Sequence, residues 1–177
     1  MTTPLHRLNQ AEIPLCMFFN RINHQQAISR FFAVISRLGD GVFWYTLMGV
    51  IPCYYGQAGI AVSLHMGLVS LVALLLYKWL KQTTQRVRPY HYSGNILQNV
   101  AALDQFSFPS GHTLHAVSFS IILVYYYPAW ALLVVPFTVL VGLSRLVLGL
   151  HYPSDVLIGA LIGSSLAYSS LLLHVLL

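Results

Sequence analysis

The sequence predicts an all-α integral membrane helical bundle with five, or alternatively six, transmembrane helices and an interfacial amphipathic helix at the N-terminus. Its 177 residues are 57% hydrophobic and only 7% charged, whereas a soluble domain carries about 25% charged residues. Long charge-free intervals alternate with short breaks rich in proline, glycine or aromatic residues. One amphipathic stretch precedes these intervals. The length suits a single domain, 1–177.

The first charge-free interval, 41–77, is too long for one crossing, which needs about 20 residues. It breaks at PCYYGQAG, so we expect one span at 39–55 and a second at 58–80. Lys78, Trp79 and Lys81 close the second span in a pattern typical of a membrane interface.

The second charge-free interval, 105–144, breaks at the aromatic sequence YYYPAW. This break predicts spans at 110–127 and 129–148. A last span covers 153–176, where Gly159 and Gly163 form a small-xxx-small pair that favours close helix packing.

The N-terminal segment, 1–37, differs from the spans. The stretch AISRFFAVISRL, 27–38, repeats apolar residues at helical spacing with Arg30 and Arg37 on its polar side, which predicts a helix lying along the interface rather than a sixth span. We expect Phe31 and Phe32 on this helix to guide lipid towards the site. The polar first dozen residues do not resemble a cleavable signal peptide.

The charge balance and the cysteines restrict the possible partners. Nine Lys and Arg against four Asp and Glu give a net charge of +5. Nucleic acid is excluded as a partner because most of the surface lies in lipid, so an anionic ligand or lipid headgroup fits better. Cys16 and Cys53 are isolated and show neither disulfide nor metal-ligand spacing.

Three sequence blocks within 81–155 carry the candidate chemistry, and five spans place them on one membrane face. The first is KQTTQRVRP. Lys81 and Arg88 are seven residues apart, so they share a face if the helix continues, and Pro89 ends it. Two such cations suit a multiply charged anion, although contact with lipid headgroups is the alternative. Arg86 lies off this face and is interpreted as a juxtamembrane cation.

The second block is PSGH. Pro109 and Ser110 favour the start of a helix, and Gly111 lets a ligand approach the backbone. The first amides of this helix therefore predict an anion site. His112, in the first turn, can donate or accept a proton. His115, one turn further on, is expected to have a packing or supporting role, and His65 is expected to be a hydrogen-bonded packing residue.

The third block is SRLVLGLHYPSD. Arg145 and His151 are out of register on a continuous helix, so the chain must turn between them, with Gly149 as the expected break. Pro153 then starts the last span and places Asp155 in its first turn. A carboxylate there can reach back to His151, fix one imidazole tautomer and stabilise the charged ring.

Together the blocks predict a phosphate site. Lys81, Arg88, Arg145, the Ser110 hydroxyl and the Gly111 amide would surround one phosphate. His151, oriented by Asp155, would attack phosphorus, and His112 would protonate the leaving oxygen. In phosphoryl transfer, positioning and charge stabilisation do most of the work. The sequence shows no acidic cluster for magnesium, so we expect neither metal nor cofactor.

These blocks resemble the type 2 phosphatidic acid phosphatases, whose pattern is K-x6-R-P, P-S-G-H and S-R-x5-H-x3-D. The resemblance implies that His151 forms a phosphohistidine, that His112 is the general acid and that Asp155 supports His151. It also implies lipid substrates such as phosphatidate, phosphatidylglycerophosphate or a polyprenyl diphosphate. In bacterial members the site usually faces the periplasm, so we expect an inner-membrane protein of that orientation, although the positive charges alone favour the cytoplasm.

Three alternatives remain open. A lipid phosphotransferase could use the same site to pass a phosphoryl group from a polyprenyl diphosphate to another lipid. The vanadium-dependent haloperoxidases share the blocks, but the five predicted spans argue against a soluble enzyme. A non-enzymatic lipid transporter would place its polar residues along a path through the membrane.

Overall fold

The computed structural model describes the backbone of residues 4–176 and the side chains of 5–173. Within this range the regular elements are all helical, with no strand. The helices are α1 (Pro4–Asn20), α2 (Gln26–Arg37), α3 (Phe43–Thr84), α4 (Pro89–Tyr92), α5 (Gly111–Tyr126), α6 (Ala131–Val147) and α7 (Pro153–Leu176). A π-helical turn, Leu38–Val42, joins α2 to α3.

Helix α3 contains both of the first two predicted spans. It is broken at Gly56, where φ is 57° and ψ is −134°, conformations that glycine adopts without steric cost. Beyond this break the chain reverses direction. The reversal is shown by a hydrogen bond in which the Ser63 hydroxyl donates to the Met48 carbonyl at 2.8 Å. Residues fifteen apart would lie about 22 Å apart on a continuous helix. The two arms of α3 are therefore antiparallel, and the reversal lies within the predicted break.

The remaining predicted spans correspond to α5, α6 and α7. Among the described residues, three helical stretches are long and apolar enough to cross a membrane: Gln26–Tyr92, Pro128–Val147 and Pro153–Leu173. The first of these contains both arms of α3. The protein is an integral membrane helical bundle, and the count of five spans stays a prediction.

Helix α5 occupies the centre of the bundle and packs against α3, α6 and α7. Its contact with α7 depends on two glycines. A Cβ at Gly159 would lie 2.6 Å from the Ser110 carbonyl oxygen, and one at Gly163 would lie 2.4 Å from the Leu114 carbonyl oxygen. Neither space admits a side chain, so the predicted close packing of α7 at these glycines is confirmed. It also fixes the start of α5 against α7.

The N-terminal segment is more than an interfacial helix. Helix α1, which the sequence did not predict, packs against α4, α6 and α7. At its end the Asn20 amide donates to the carbonyls of Leu97 and Val147 at 2.9 and 2.8 Å and accepts from the Leu97 N–H at 2.8 Å. The buried side chains of α1 are Asn9, Cys16 and Asn20, so no apolar periodicity reveals it.

Candidate active site

The three blocks meet at one cavity of about 590 Å³. Six of the eight predicted site residues line it: Lys81, Arg88, Gly111, His112, Arg145 and His151. Ser110 and Asp155 are fully buried beside it, and the Ser110 N–H donates to the Asp155 carbonyl at 3.0 Å. The structure therefore brings together residues that lie more than sixty positions apart in the chain.

The first block reaches the cavity by a route that the sequence did not predict. The α3 helix ends at Thr84, and Gln85 takes a left-handed conformation with φ of 47°. Arg88 is extended, at φ −71° and ψ 153°, because the following Pro89 disfavours the helical region. The expected shared helix face of Lys81 and Arg88 is therefore wrong. A turn in the chain brings them together.

Asp104, from the loop between α4 and α5, holds both cations. Its Oδ1 accepts from Lys81 Nζ at 3.0 Å and from Arg88 Nη2 at 2.7 Å. Backbone carbonyls fix the same side chains, since Lys81 donates to the Phe106 carbonyl at 2.7 Å and Arg88 Nη1 to the Leu150 carbonyl at 2.6 Å. Each of these two cations, which are almost completely buried, is therefore held by Asp104 and by a backbone carbonyl.

The second block starts α5 as predicted. Ser110 is the N-cap, and its hydroxyl accepts from the Thr113 N–H at 3.4 Å and bonds to the Thr113 hydroxyl at 2.9 Å. This hydroxyl serves as a helix cap, and its contact with phosphate stays a prediction. A Cβ at Gly111 would lie 3.3 Å from the Tyr77 ring. The cavity wall at Gly111 is therefore exposed backbone with little space for a side chain.

His112 has an acidic partner that the sequence analysis missed. Its Nε2 forms a short hydrogen bond with Asp40 Oδ1. Asp40 lies in the turn Leu38–Val42 and lines the same cavity. The available sequence signal was a carboxylate between two glycines immediately before a charge-free span.

The third block turns where expected. Helix α6 ends at Val147, and Gly149 has φ of 70°. Arg145 Nη1 makes a short hydrogen bond to the Ser36 hydroxyl, whereas its buried Nε meets no hydrogen-bond partner among the described residues. The guanidinium thus faces the cavity while α2 anchors one of its ends.

His151 lies between the cations and Asp155. Its Nε2 is 3.4 Å from Arg88 Nη1, and its Nδ1 is 3.5 Å from Asp155 Oδ2. The second distance is that of an ion pair and is longer than a hydrogen bond. The carboxylate is engaged elsewhere, because Oδ1 accepts from Arg86 at 2.6 Å and Oδ2 from the Tyr152 N–H at 2.9 Å.

The environment of His151 disfavours its protonated form. Complete burial, followed by the positive charges of Arg88, Lys81 and Arg145, holds the pKa of this imidazole well below its usual range. Burial removes the hydration that a charged ring needs, and neighbouring cations repel it. His151 is therefore neutral near pH 7, with a lone pair available on one nitrogen.

Arg86 was interpreted wrongly as a juxtamembrane cation. Its side chain is 1% exposed, and besides Asp155 it bonds to Asn9 Oδ1 at 2.9 Å and Glu12 Oε2 at 3.2 Å. The guanidinium also stacks over the Tyr152 ring at 3.9 Å. Arg86 therefore links α1 to the carboxylate beside His151, a role that helical spacing could not reveal because residue 86 lies outside any helix.

Two further histidines, for which the sequence predicted packing roles, have hydrogen-bond partners, and one of them, His115, also lines the cavity. His115 Nδ1 and Nε2 lie 2.9 and 3.3 Å from the carbonyls of Gly111 and Ser70. His65, remote from the site, bonds to the Tyr126 and Ser170 hydroxyls. Among the residues with described side chains, no group of three or more His, Cys, Asp or Glu is placed to hold a metal ion.

Comparison with known proteins identifies the family. The PAP2 superfamily model matches residues 62–176. The chain is 26% identical, over 86% of its length and 74% of the relative, to an undecaprenyl-diphosphatase of Sulfolobus acidocaldarius. It is 42% identical over 45% of its length to a decaprenylphosphoryl-5-phosphoribose phosphatase of Mycolicibacterium smegmatis, 42% of which is covered.

A solved structure agrees with these matches. The transmembrane PAP2 type phosphatidylglycerolphosphate phosphatase from Bacillus subtilis superposes with a TM-score of 0.75 at 28% identity, covering 93% of this chain and 84% of that one. The family model spans all three blocks, which lie within 81–155. The chain belongs to the PAP2 superfamily and is a phosphoric ester hydrolase of the membrane.

Proposed function

We propose that this membrane lipid phosphatase hydrolyses a polyprenyl diphosphate or a related lipid phosphate through a phosphohistidine, without a metal ion. The observation that carries the proposal is the charge of the cavity around His151. Four cationic side chains, Lys78, Lys81, Arg88 and Arg145, and two carboxylates, Asp40 and Asp104, line it. The excess of two positive charges suits a phosphate dianion. Buried charge of this kind is costly unless it is paired.

Bound phosphate would take the place of the Asp104 carboxylate between Lys81 and Arg88. Arginine offers planar paired donors that fit phosphate oxygens, and the first amides of α5 at Gly111 would add donors at the positive end of the helix dipole. Arg145, which lines the same cavity, would add further donors. These fixed donors match charge that spreads over the phosphoryl oxygens in the transition state.

The chemistry would then proceed in two steps. In the first, His151 Nε2 bonds to phosphorus as the bond to the leaving oxygen breaks, and His112 gives a proton to that oxygen. In the second, His112 takes a proton from water, the water oxygen bonds to phosphorus, and the bond to His151 breaks. Asp155 would stabilise the positive charge that His151 carries in between. The neutral state of His151 in the free protein suits this nucleophilic role.

The shape of the cavity supports a lipid substrate. Besides the cations, the cavity is lined by Trp44, Tyr45 and Leu74 from the two arms of α3 and by Phe119 from α5. An apolar, aromatic wall of this kind suits the chain of a lipid whose phosphate lies among the cations. The names of two relatives favour a polyprenyl chain. We further propose that the site opens towards the periplasmic face of a bacterial inner membrane.

A phosphate-release panel tests this function directly. Purified protein in detergent would be given undecaprenyl diphosphate, phosphatidylglycerophosphate and phosphatidate. We expect release from at least one of these lipids, with the diphosphate preferred, and a loss of at least about a thousandfold in His151→Gln. His91→Gln, which changes an exposed histidine near the site, is the matched control. Equal activity in His151→Gln and wild type would exclude His151 as the nucleophile.

Two further readouts separate the parts of the proposal. Quenching with labelled substrate should trap an acid-labile, base-stable phosphoprotein, which His151→Gln should not form. Turnover should persist in excess chelator, because side-chain cations do the work of a metal. Abolition by chelator and restoration by a divalent ion would overturn metal independence while leaving the phosphatase assignment intact.

A further inference from the structure

The acidic residue beside His112 has no role in the three sequence blocks. Asp40 belongs to the N-terminal half of the chain, 72 residues from His112, yet its Oδ1 bonds to His112 Nε2. It lies at the cavity wall and is partly exposed there. A partly buried carboxylate is costly unless it is paired, so its contact with the ring calls for an explanation.

The turn around Asp40 is built to hold the carboxylate in this place. Gly41 has φ of 136°, a conformation that is strained for residues with a side chain. On the other side, a Cβ at Gly39 would lie 3.1 Å from Val141 Cγ2 and 3.8 Å from His112 Cδ2. Glycine on both sides therefore lets the backbone press against α6 and the imidazole.

The hydrogen bond determines which nitrogen of His112 can reach the substrate. Because Nε2 donates to Asp40, Nδ1 is the nitrogen left for the leaving oxygen. No described residue forms a hydrogen bond with Nδ1, and His112 lines the cavity. His112 therefore resembles His151. In His151, one ring nitrogen lies near Asp155 and the other lies near Arg88, where phosphate would bind.

We propose that Asp40 is a positioning residue for the general acid, holding the Nε2–H of His112 so that Nδ1 delivers its proton to the leaving oxygen. The inference rests on the proposed function. In the first step the proton moves from Nδ1 to the leaving oxygen, and in the second Nδ1 recovers a proton from the attacking water. Throughout both steps Nε2–H stays bonded to the carboxylate, whose negative charge stabilises the imidazolium before transfer.

The leaving group provides a test that a structural role would not pass. An alkoxide leaving group needs a proton, a lipid phosphate leaving group needs it less, and p-nitrophenolate hardly needs it. We expect Asp40→Asn to lower kcat about tenfold or more for dioctanoyl phosphatidate, less for farnesyl diphosphate, and less than about threefold for p-nitrophenyl phosphate. KM should stay unchanged for all three substrates.

Two comparisons complete the experiment. Arg37→Gln removes an exposed cation 3.7 Å from the other Asp40 oxygen and should show no dependence on the leaving group. In a His112→Asn background, Asp40→Asn should add no further loss, since residues that act as a unit are not additive. If Asp40→Asn does not purify in folded form, Asp40→Glu replaces it. We then expect the losses of kcat to rank the three substrates in the same order, with each loss smaller.

The outcomes separate this inference from the function on which it rests. A wild-type protein that releases no phosphate would overturn the proposed function itself. An active wild type with an equal loss on all three substrates in Asp40→Asn would leave that function standing and sink the role of Asp40. Additive losses in the double variant would do the same.

Discussion

At the scale of single residues, His151 makes the folded protein sensitive to acid. The pKa of this imidazole is far below its usual value of about 6.5 in the folded protein and near that value in the unfolded chain. Below about pH 6.5 the unfolded chain therefore binds a proton at residue 151 that the folded protein does not bind. This proton uptake lowers the free energy of unfolding as the pH falls.

We expect this dependence to be weaker in His151→Gln. The contribution of one such group is at most about 1.4 kcal/mol per pH unit, lost between pH 6.5 and the depressed folded-state value. Unfolding midpoints in detergent from pH 8 to 5 would measure it, with His91→Gln as a control for removing any histidine. If the unfolding midpoints of wild type and His151→Gln changed equally with pH, His151 would not be the source of the acid sensitivity.

Arg86 is the second residue whose environment makes a definite prediction. Its guanidinium is buried with Asp155 and Glu12 as partners, and removing one member of a buried ion pair leaves an uncompensated charge that costs about 3–5 kcal/mol. We expect Arg86→Gln to lower the free energy of unfolding by about this amount and to lower kcat, because Asp155 would shift relative to His151. Arg30→Gln, an exposed change, should alter neither quantity. A stable Arg86→Gln protein with wild-type kcat would refute the linking role.

At the scale of helices, the packing of α7 on α5 determines the geometry of the second block. Gly159 lies against the carbonyl of the residue that caps α5. We expect Gly159→Ala to push this turn away, destabilise the protein by about 1–3 kcal/mol and lower kcat. Gly67→Ala is the matched control, because Gly67 is also within a helix but has open space where its Cβ would lie. It should be neutral or stabilising by up to about 1 kcal/mol. Equal effects of the two changes would show that the contact is not tight.

Helix boundaries were predictable where local chemistry sets them. The start of α5 follows from a Ser cap, and the end of α6 from a glycine that takes positive φ. The end of α3 at Thr84 and the turn at Asp40 depend on tertiary contacts instead. Asp104 forms an ion pair with Lys81, and Asp155 forms one with Arg86. No periodicity in the sequence predicts these pairs.

At the scale of the whole molecule, the few acidic residues of the chain share one purpose. There are four Asp and Glu in the sequence, and each contacts a cation or histidine at the site: Glu12, Asp40, Asp104 and Asp155. From the sequence motifs alone, the site is a set of cations and histidines with Asp155 as the one acidic partner. Because isolated charge is costly in a membrane protein, each acidic residue of such a sequence should be considered as a partner for the cations and histidines of the site.

The N-terminal helices α1 and α2 contact the cations of the site. Glu12 from α1 reaches Arg86, and Ser36 from α2 reaches Arg145, so deleting 1–36 would remove support from the site as well as any contact with lipid. Point changes separate these two roles. Phe31 is 49% exposed on α2, whereas Glu12 is mostly buried beside Arg86.

We expect Phe31→Ser to lower kcat/KM roughly fivefold for a long-chain lipid in vesicles, the equivalent of about 1 kcal/mol of lost membrane contact. Its kinetics on p-nitrophenyl phosphate should match those of wild type. Glu12→Gln should lower kcat on both substrates, because it acts through Arg86. Leu132→Ser changes an apolar residue that is 90% exposed at the start of α6, at the opposite end of the bundle, and should affect neither substrate. If Phe31→Ser is indistinguishable from Leu132→Ser in vesicles, α2 serves the site only as a scaffold and does not guide lipid.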